Sequence, residues 1–419
     1  MIDLSSEQKI RAYINFCTKK ENNNYFNALE MLNMSEPSMS QLLAWLLNVK
    51  GQSENSIQYR FCKAFFEVVK LKEKKNENDI YKVINKINEN ELVNIIKNMQ
   101  VTVEKKFDND NVRIDLYLES KDLNSKKFEC VIENKKRANL SCSKDGEKYI
   151  TQVEKYHNLV GYSDDKNIRK YIYLCAEEIE DVNEAKIKDK LPKSKRNKIY
   201  IDSKYKNVKD LLNAYNYTVI EHSEIAKILH SLLQNDENCK GKFDNNGILK
   251  PVKYESMLKL AENLCKYMND CKSKNLLEKI FSQKEIMSEL KKCCQDCENR
   301  NIFFRYDRHI IPILEGYKKL FIEIFKKPRI YGSTVINFRE YLTEQNYAEI
   351  LCLYIEYLEQ HRGLNPASDN LKGYSKIIGK EFIYDICKDI HDKNKEEWEK
   401  IRTTEIRSEA FKLIIDNIK

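Results

Sequence analysis

NVRIDLYLES (111–120), a polar turn and KKFECVIENKK (126–136) decide how this chain is read. In the first run Val112, Ile114, Leu116 and Leu118 alternate with Arg113, Asp115, Tyr117 and Glu119. In the second, Phe128, Cys130 and Ile132 share one face, and Glu129, Val131, Glu133 and Lys135 the other. Period-two alternation bounded by Lys, Asp, Asn and Ser predicts a β-hairpin. Side chains alternate across a strand, so Asp115, Glu133 and Lys135 can lie on one face of adjacent strands.

Two carboxylates converging beside a lysine suit one task. A hard divalent cation takes oxygen ligands and keeps several waters. Asp115 and Glu133 are the candidate ligands for Mg²⁺, with Mn²⁺ as a substitute, and the carbonyl of Asn134 is a third. Such an ion acidifies water and offsets charge on a phosphoryl group. Lys135 is placed to orient that water or to stabilise the developing charge. The chemistry is hydrolysis of a phosphodiester. The bland alternative is that these charges are the solvated side of a half-buried sheet.

The pattern RID…IENK resembles the PD-(D/E)xK nuclease superfamily, which places Asp and then Glu-x-Lys on neighbouring strands. It is similar in particular to a bacterial branch in which a helix bearing Q-x-x-x-Y follows. Gln152 and Tyr156 in QVEKY supply that motif here, and positions i and i+4 share one helix face. The resemblance implies a restriction-endonuclease-like α/β core and Mg²⁺-dependent cleavage of nucleic acid, most naturally DNA, in prokaryotic restriction or antiviral defence. It makes Gln152 a candidate catalytic residue. The block from Phe26 to Val69 also resembles this branch, with LAWLL at 43–47 and Glu36 at an acidic position. Glu36 is therefore a candidate further metal ligand, or else a capping carboxylate at a helix start. The chain departs from the pattern where Met39 replaces an expected histidine and Glu54-Asn55-Ser56 replaces His-Gly.

The 419 residues can bury more than one core. Hydrophobic residues are 42% and charged residues 33%, which excludes a disordered chain. A net charge of +8 weakly favours an anionic partner. No apolar run is long enough to span a bilayer, and the N-terminal stretch lacks a basic start followed by an apolar core. With thirteen scattered cysteines, the expectation is a cytoplasmic protein with reduced thiols.

Taken in order, SSEQKIRAYINFCTKK, SEPSMSQLLAWLL and SIQYRFCKAFFEVVKL predict helices, the last with Ile57, Phe61, Ala64, Phe65 and Val68 on its apolar face. A Lys/Asn/Glu-rich helix is expected over 79–98, then a strand at QVTVEKKF, the hairpin, a loop containing Gly146 and the QVEKY helix. RKYIYLCA and NYTVIEHS predict further strands, and SEIAKILHSLLQ a closing helix. Between these two strands, a segment with Lys193, Lys195, Arg196 and Lys198 reads as an insertion with a basic tip, suited to phosphates or merely solvated. Residues 234–247 read as a linker. The expected organisation is thus a nuclease-like domain with N-terminal helices over 1–235, its mixed central sheet flanked by helices, then an all-helical domain over 250–419. That second domain leaves room for a homo-oligomer or a protein partner.

Cys293, Cys294 and Cys297, with Cys265 and Cys271, lack the paired spacing of a structural zinc site and read as idle thiols. Arg305 and His309 are one residue short of a helical ribonuclease motif and are set aside. Two readings compete with the nuclease. One is a catalytically inactive nucleic-acid-binding module, disfavoured by the intact Asp115/Glu133/Lys135 set. The other is a helical scaffold or interaction protein whose hairpin charges face water.

Overall fold

The computed structural model describes residues 28–360, apart from 33, 76–81, 108–109, 122–126, 136–141, 146–147, 165, 176–207, 251–253, 270 and 300–334. The expected N-terminal helix and the basic segment at 193–198 lie outside the described residues, as do Arg305 and His309. Backbone contacts divide the chain into two units, one comprising 36–243 and 337–363, the other 1–35, 244–336 and 364–419.

The first unit is built on a five-stranded mixed sheet ordered β1-β2-β3-β6-β7. Strands β1 (Gln100–Phe107), β2 (Asp110–Lys121) and β3 (Lys127–Lys135) form an antiparallel meander; β6 (Asn167–Cys175) and β7 (Tyr217–Glu221) continue it in parallel. In the hairpin, Leu116 stands opposite Ile132 and Tyr117 opposite Val131. A small separate hairpin, β4 (Cys142–Asp145) with β5 (Lys148–Thr151), occupies the stretch expected to be a loop. Its four-residue strands are too short for alternation to announce them.

Helices cover both faces of the sheet. On one side lie α1 (Glu36–Leu47), α2 (Ile57–Lys74) and α6 (His222–Gln234). Phe128 meets Phe66 of α2 edge-on at 5.7 Å, and Cys130 and Ile132 are buried with it. The buried face of α2 runs through Ile57, Phe61, Cys62, Phe65, Phe66 and Val69, so Val69 rather than the expected Val68 completes the stripe. Ser56 caps α2 by accepting from the Tyr59 N–H at 3.2 Å. On the other side α4 (Gln152–Val160) and α5 (Val208–Ala214) pack Val153, Tyr156, Val208 and Leu212 against Tyr117, Val131, Tyr171 and Tyr173. Central β3 is therefore covered on both faces. A sheet sandwiched between helices loses the solvated face that alternation suggests.

The helix expected over 79–98 is broken. A 3₁₀ turn at Ile84–Lys86 is followed by α3 (Glu89–Lys97), because Asn88 leaves helical geometry and forms a capping box with Glu91. The linker region is also more ordered than expected. Asp236 accepts from Arg60 and, at 2.7 Å, from the hydroxyl of Tyr347, which opens α7 (Tyr347–Gln360). A helix from late in the chain thus belongs to the unit of the sheet.

The regular structure described in the second unit is helical, with an isolated bridge between Met268 and Ile336 and a turn-rich stretch over 244–250. Tyr254–Cys265, Cys271–Ser282 and Lys284–Asn299 bury Met257, Ala261, Leu264, Ile280, Ile286 and Leu290. No helix among the described residues is long and apolar enough to cross a membrane.

Candidate active site

The site lies where β2 and β3 leave their ladder. Pairing runs from Lys121↔Lys127 to Leu116↔Ile132, and the next residue of each strand is a carboxylate, Asp115 and Glu133. Asp115 reaches across and accepts the backbone N–H of Asn134 at 2.9 Å. A residue's N–H and C=O point to the same edge of a strand, so the Asn134 carbonyl shares the Asp115 side.

Glu133 is completely buried, and among the described residues neither of its carboxylate oxygens receives a well-directed hydrogen bond. The ammonium of Lys135 stands against one of them as an ion pair. Burial, and then the charge of Asp115, push the Glu133 carboxyl up to about 8. Burial also raises Asp115, against the lowering pull of Lys135 and the Asn134 N–H. For Lys135 burial works against the ammonium, but Glu133 and Asp115 outweigh it and hold its pKa above the usual lysine value. The solvated-sheet alternative is excluded here, since Lys135 is only 7% exposed and Glu133 not at all.

Behind the carboxylates, α4 starts on a capping box between Thr151 and Glu154. It sets Gln152 and Tyr156 one turn apart, and the Gln152 amide donates to the Tyr156 hydroxyl. That hydroxyl donates to the carbonyl of Arg113, two residues before Asp115, and lies against Glu133. Glu36, the first residue of α1, comes within 4.0 Å of the Lys135 ammonium. Met39, which departs from the family pattern, is fully buried in the apolar core.

The structure therefore brings together Asp115, Glu133, Lys135, Tyr156 and Gln152, with Glu36 at the edge through Lys135. Two partners were not foreseen. His222, at the start of α6, and Ser40, on α1, both bond the side chain of Asn134. Tyr173 stands opposite Glu133 on β6, and its buried hydroxyl has no hydrogen-bond partner among the described residues.

This donor set fits a hard divalent cation. Among the described residues no three His, Cys, Asp or Glu side chains form a ready cage. Mg²⁺ asks for less, taking one or two carboxylates and completing its shell with water. With the Lys135 ammonium at one oxygen, the buried Glu133 carboxylate still has lone pairs for such an ion, and they are costly to leave unmatched.

A family model described as the PD-(D/E)XK nuclease superfamily matches residues 23–283, more than half of the chain. The chain belongs to this superfamily. The matched segment spans Glu36, Asp115, Glu133, Asn134, Lys135 and Gln152. PD-(D/E)XK nucleases act on nucleic acid with divalent metal ions, and the mixed sheet with its flanking helices is the restriction-endonuclease-like core. No curated protein and no solved structure matches the chain.

Proposed function

We propose that this PD-(D/E)XK nuclease hydrolyses DNA with Mg²⁺, Mn²⁺ being able to substitute, and that Asp115, Glu133 and Lys135 carry the reaction. One observation supports this reading above the others: a fully buried Glu133 whose carboxylate meets the Lys135 ammonium as an ion pair and, among the described residues, receives no well-directed hydrogen bond, with Asp115 beside it.

Asp115 and Glu133 would hold the ion, with the Asn134 carbonyl beside them and Glu36 as an outer carboxylate. When bound, such an ion offsets charge on the phosphoryl group and acidifies water. Lys135 orients the attacking water and meets the charge that develops as the phosphorus–oxygen bond breaks. The Tyr156 hydroxyl, held between the Gln152 amide and the Arg113 carbonyl, packs against the Glu133 carboxylate and backs the acidic pair. DNA as substrate is supported by the net charge of +8 and by the likeness of RID…IENK…QVEKY to a bacterial branch of the superfamily. A part in restriction or antiviral defence rests on that likeness alone.

The test is cleavage of supercoiled plasmid with and without Mg²⁺. Wild type is expected to nick only with the metal. Asp115→Ala and Glu133→Ala should lose cleavage, because each removes a direct ligand. Lys135→Ala should keep metal binding and lose most of the rate. Equal cleavage by all four proteins would place the chemistry elsewhere.

A further inference from the structure

Asn134, the central residue of Glu133-Asn134-Lys135, turns its side chain away from the carboxylates. Its amide nitrogen donates to the Ser40 hydroxyl at 3.1 Å and to the backbone carbonyl of Glu36 at 3.4 Å. Its amide oxygen lies 3.1 Å from Nε2 of His222. Both Asn134 and His222 are buried, at 0% and 3% exposure.

The orientation of this amide is determined by its partners. The Glu36 carbonyl can only accept, so the amide nitrogen must face it and the amide oxygen must face His222. An oxygen needs a donor, so His222 carries a proton on Nε2. His222 is thus the donor that completes the anchoring of Asn134.

We propose that His222 is a positioning residue of the nuclease site, acting through Asn134; this rests on the metal site proposed above. Successive side chains of a strand point to opposite faces. Pinning Asn134 into the helical layer therefore turns Glu133 and Lys135 together toward Asp115. The same amide holds the first residue of α1, which carries Glu36. One hydrogen-bonded centre thus registers three elements: β3 with two reacting groups, α1 with the outer carboxylate, and α6 with His222. Without the histidine, a buried amide oxygen is left unpaired and residue 134 is free to twist. Partners that orient metal ligands without touching the ion typically change metal affinity about 10- to 100-fold.

The test is calorimetric titration of Mn²⁺, without DNA, into wild type, His222→Leu, His222→Gln and Ser40→Ala. Gln places an amide donor near the position of Nε2, whereas Leu fills the space and donates nothing. His222→Leu is expected to bind Mn²⁺ about 10-fold or more weakly, and His222→Gln to recover most of that loss. On plasmid, His222→Leu should lower kcat at fixed metal and leave KM for DNA unchanged. If His222→Leu does not fold, Ser40→Ala, which removes an acceptor from the same amide, should show a smaller loss of the same kind. Wild type binding Mn²⁺ with all the folded variants equal to it would overturn the role of His222 and leave the metal site standing. A wild type that takes up no Mn²⁺ would overturn both.

Discussion

The carboxylate of Asp115 on β2 accepts the backbone N–H of Asn134 on β3 at 2.9 Å, just beyond the last paired position of the hairpin, Leu116 opposite Ile132. This bond replaces a ladder bond just where the strands separate to make room for the acidic pair. Asp115 is thus a candidate ligand and also the closure of the sheet. Asp115→Asn keeps an acceptor, and Asp115→Ala leaves the N–H without one. Both remove the charge, so their difference isolates the bond. Urea unfolding in chelator should find Asp115→Ala less stable than Asp115→Asn by about 1–3 kcal/mol. Equal midpoints would mean that the bond does not hold the strands.

Glu73 of α2 and Lys170 of β6 form an ion pair at 2.9 Å with no exposure on either side chain beyond 1%. Glu73 also accepts the Asn85 N–H at 2.9 Å, tying the 3₁₀ turn to α2. Removing one member strands a buried charge, so Lys170→Met alone should destabilise by about 3–5 kcal/mol. Pairing it with Glu73→Gln should recover much of that, because Gln removes the charge and keeps an acceptor. Denaturant melts of the single and double variants check this, and additive losses would count against a buried pair.

Glu356 on α7 is 7% exposed, and one of its carboxylate oxygens has no hydrogen-bond partner among the described residues. Burial, and then the charge of Glu359, push its pKa from the ordinary 4.5 up to about 8. A folded-state pKa above the unfolded value means the folded protein holds the proton more tightly. The associated stability is fully present below 4.5 and is lost as pH rises through 8. The loss should approach about 1.4 kcal/mol per pH unit in that window. Glu356→Gln should flatten the fall in melting temperature between pH 5 and 8, and an unchanged slope would assign it to other groups.

Much of this was legible in the sequence, and the reason is periodicity. Alternation over 111–136 announces the hairpin, and a two-residue spacing puts Glu133 and Lys135 on one face. A four-residue spacing does the same for Gln152 and Tyr156. Local patterns do not say which distant side chains meet. His222 and Ser40 reach Asn134 across 88 and 94 residues. Lys170 looks like a solvent-facing strand lysine, yet Glu73 draws it inside. Asp236 sits in a polar, glycine-containing stretch, and the distant Arg60 and Tyr347 make it a buried anchor. Within 79–98 the continuous polar-apolar pattern suggests one helix, yet Asn88 followed by Glu91 marks a helix start.

The central claim is that Asp115 and Glu133 form one cation site. Without a cation, burial raises both carboxyls, Glu133 further through the charge of Asp115, so ionising the pair opposes folding. A cation that binds only the folded protein stabilises it by mass action, about 2.7 kcal/mol at a hundredfold excess over Kd. The most direct measurement is the melting temperature of wild type and Asp115→Asn, each in chelator and in millimolar Mg²⁺ or Mn²⁺. The account predicts that Asp115→Asn melts at or above wild type in chelator, and that only wild type rises when metal is added. Identical metal responses from the two proteins would contradict it.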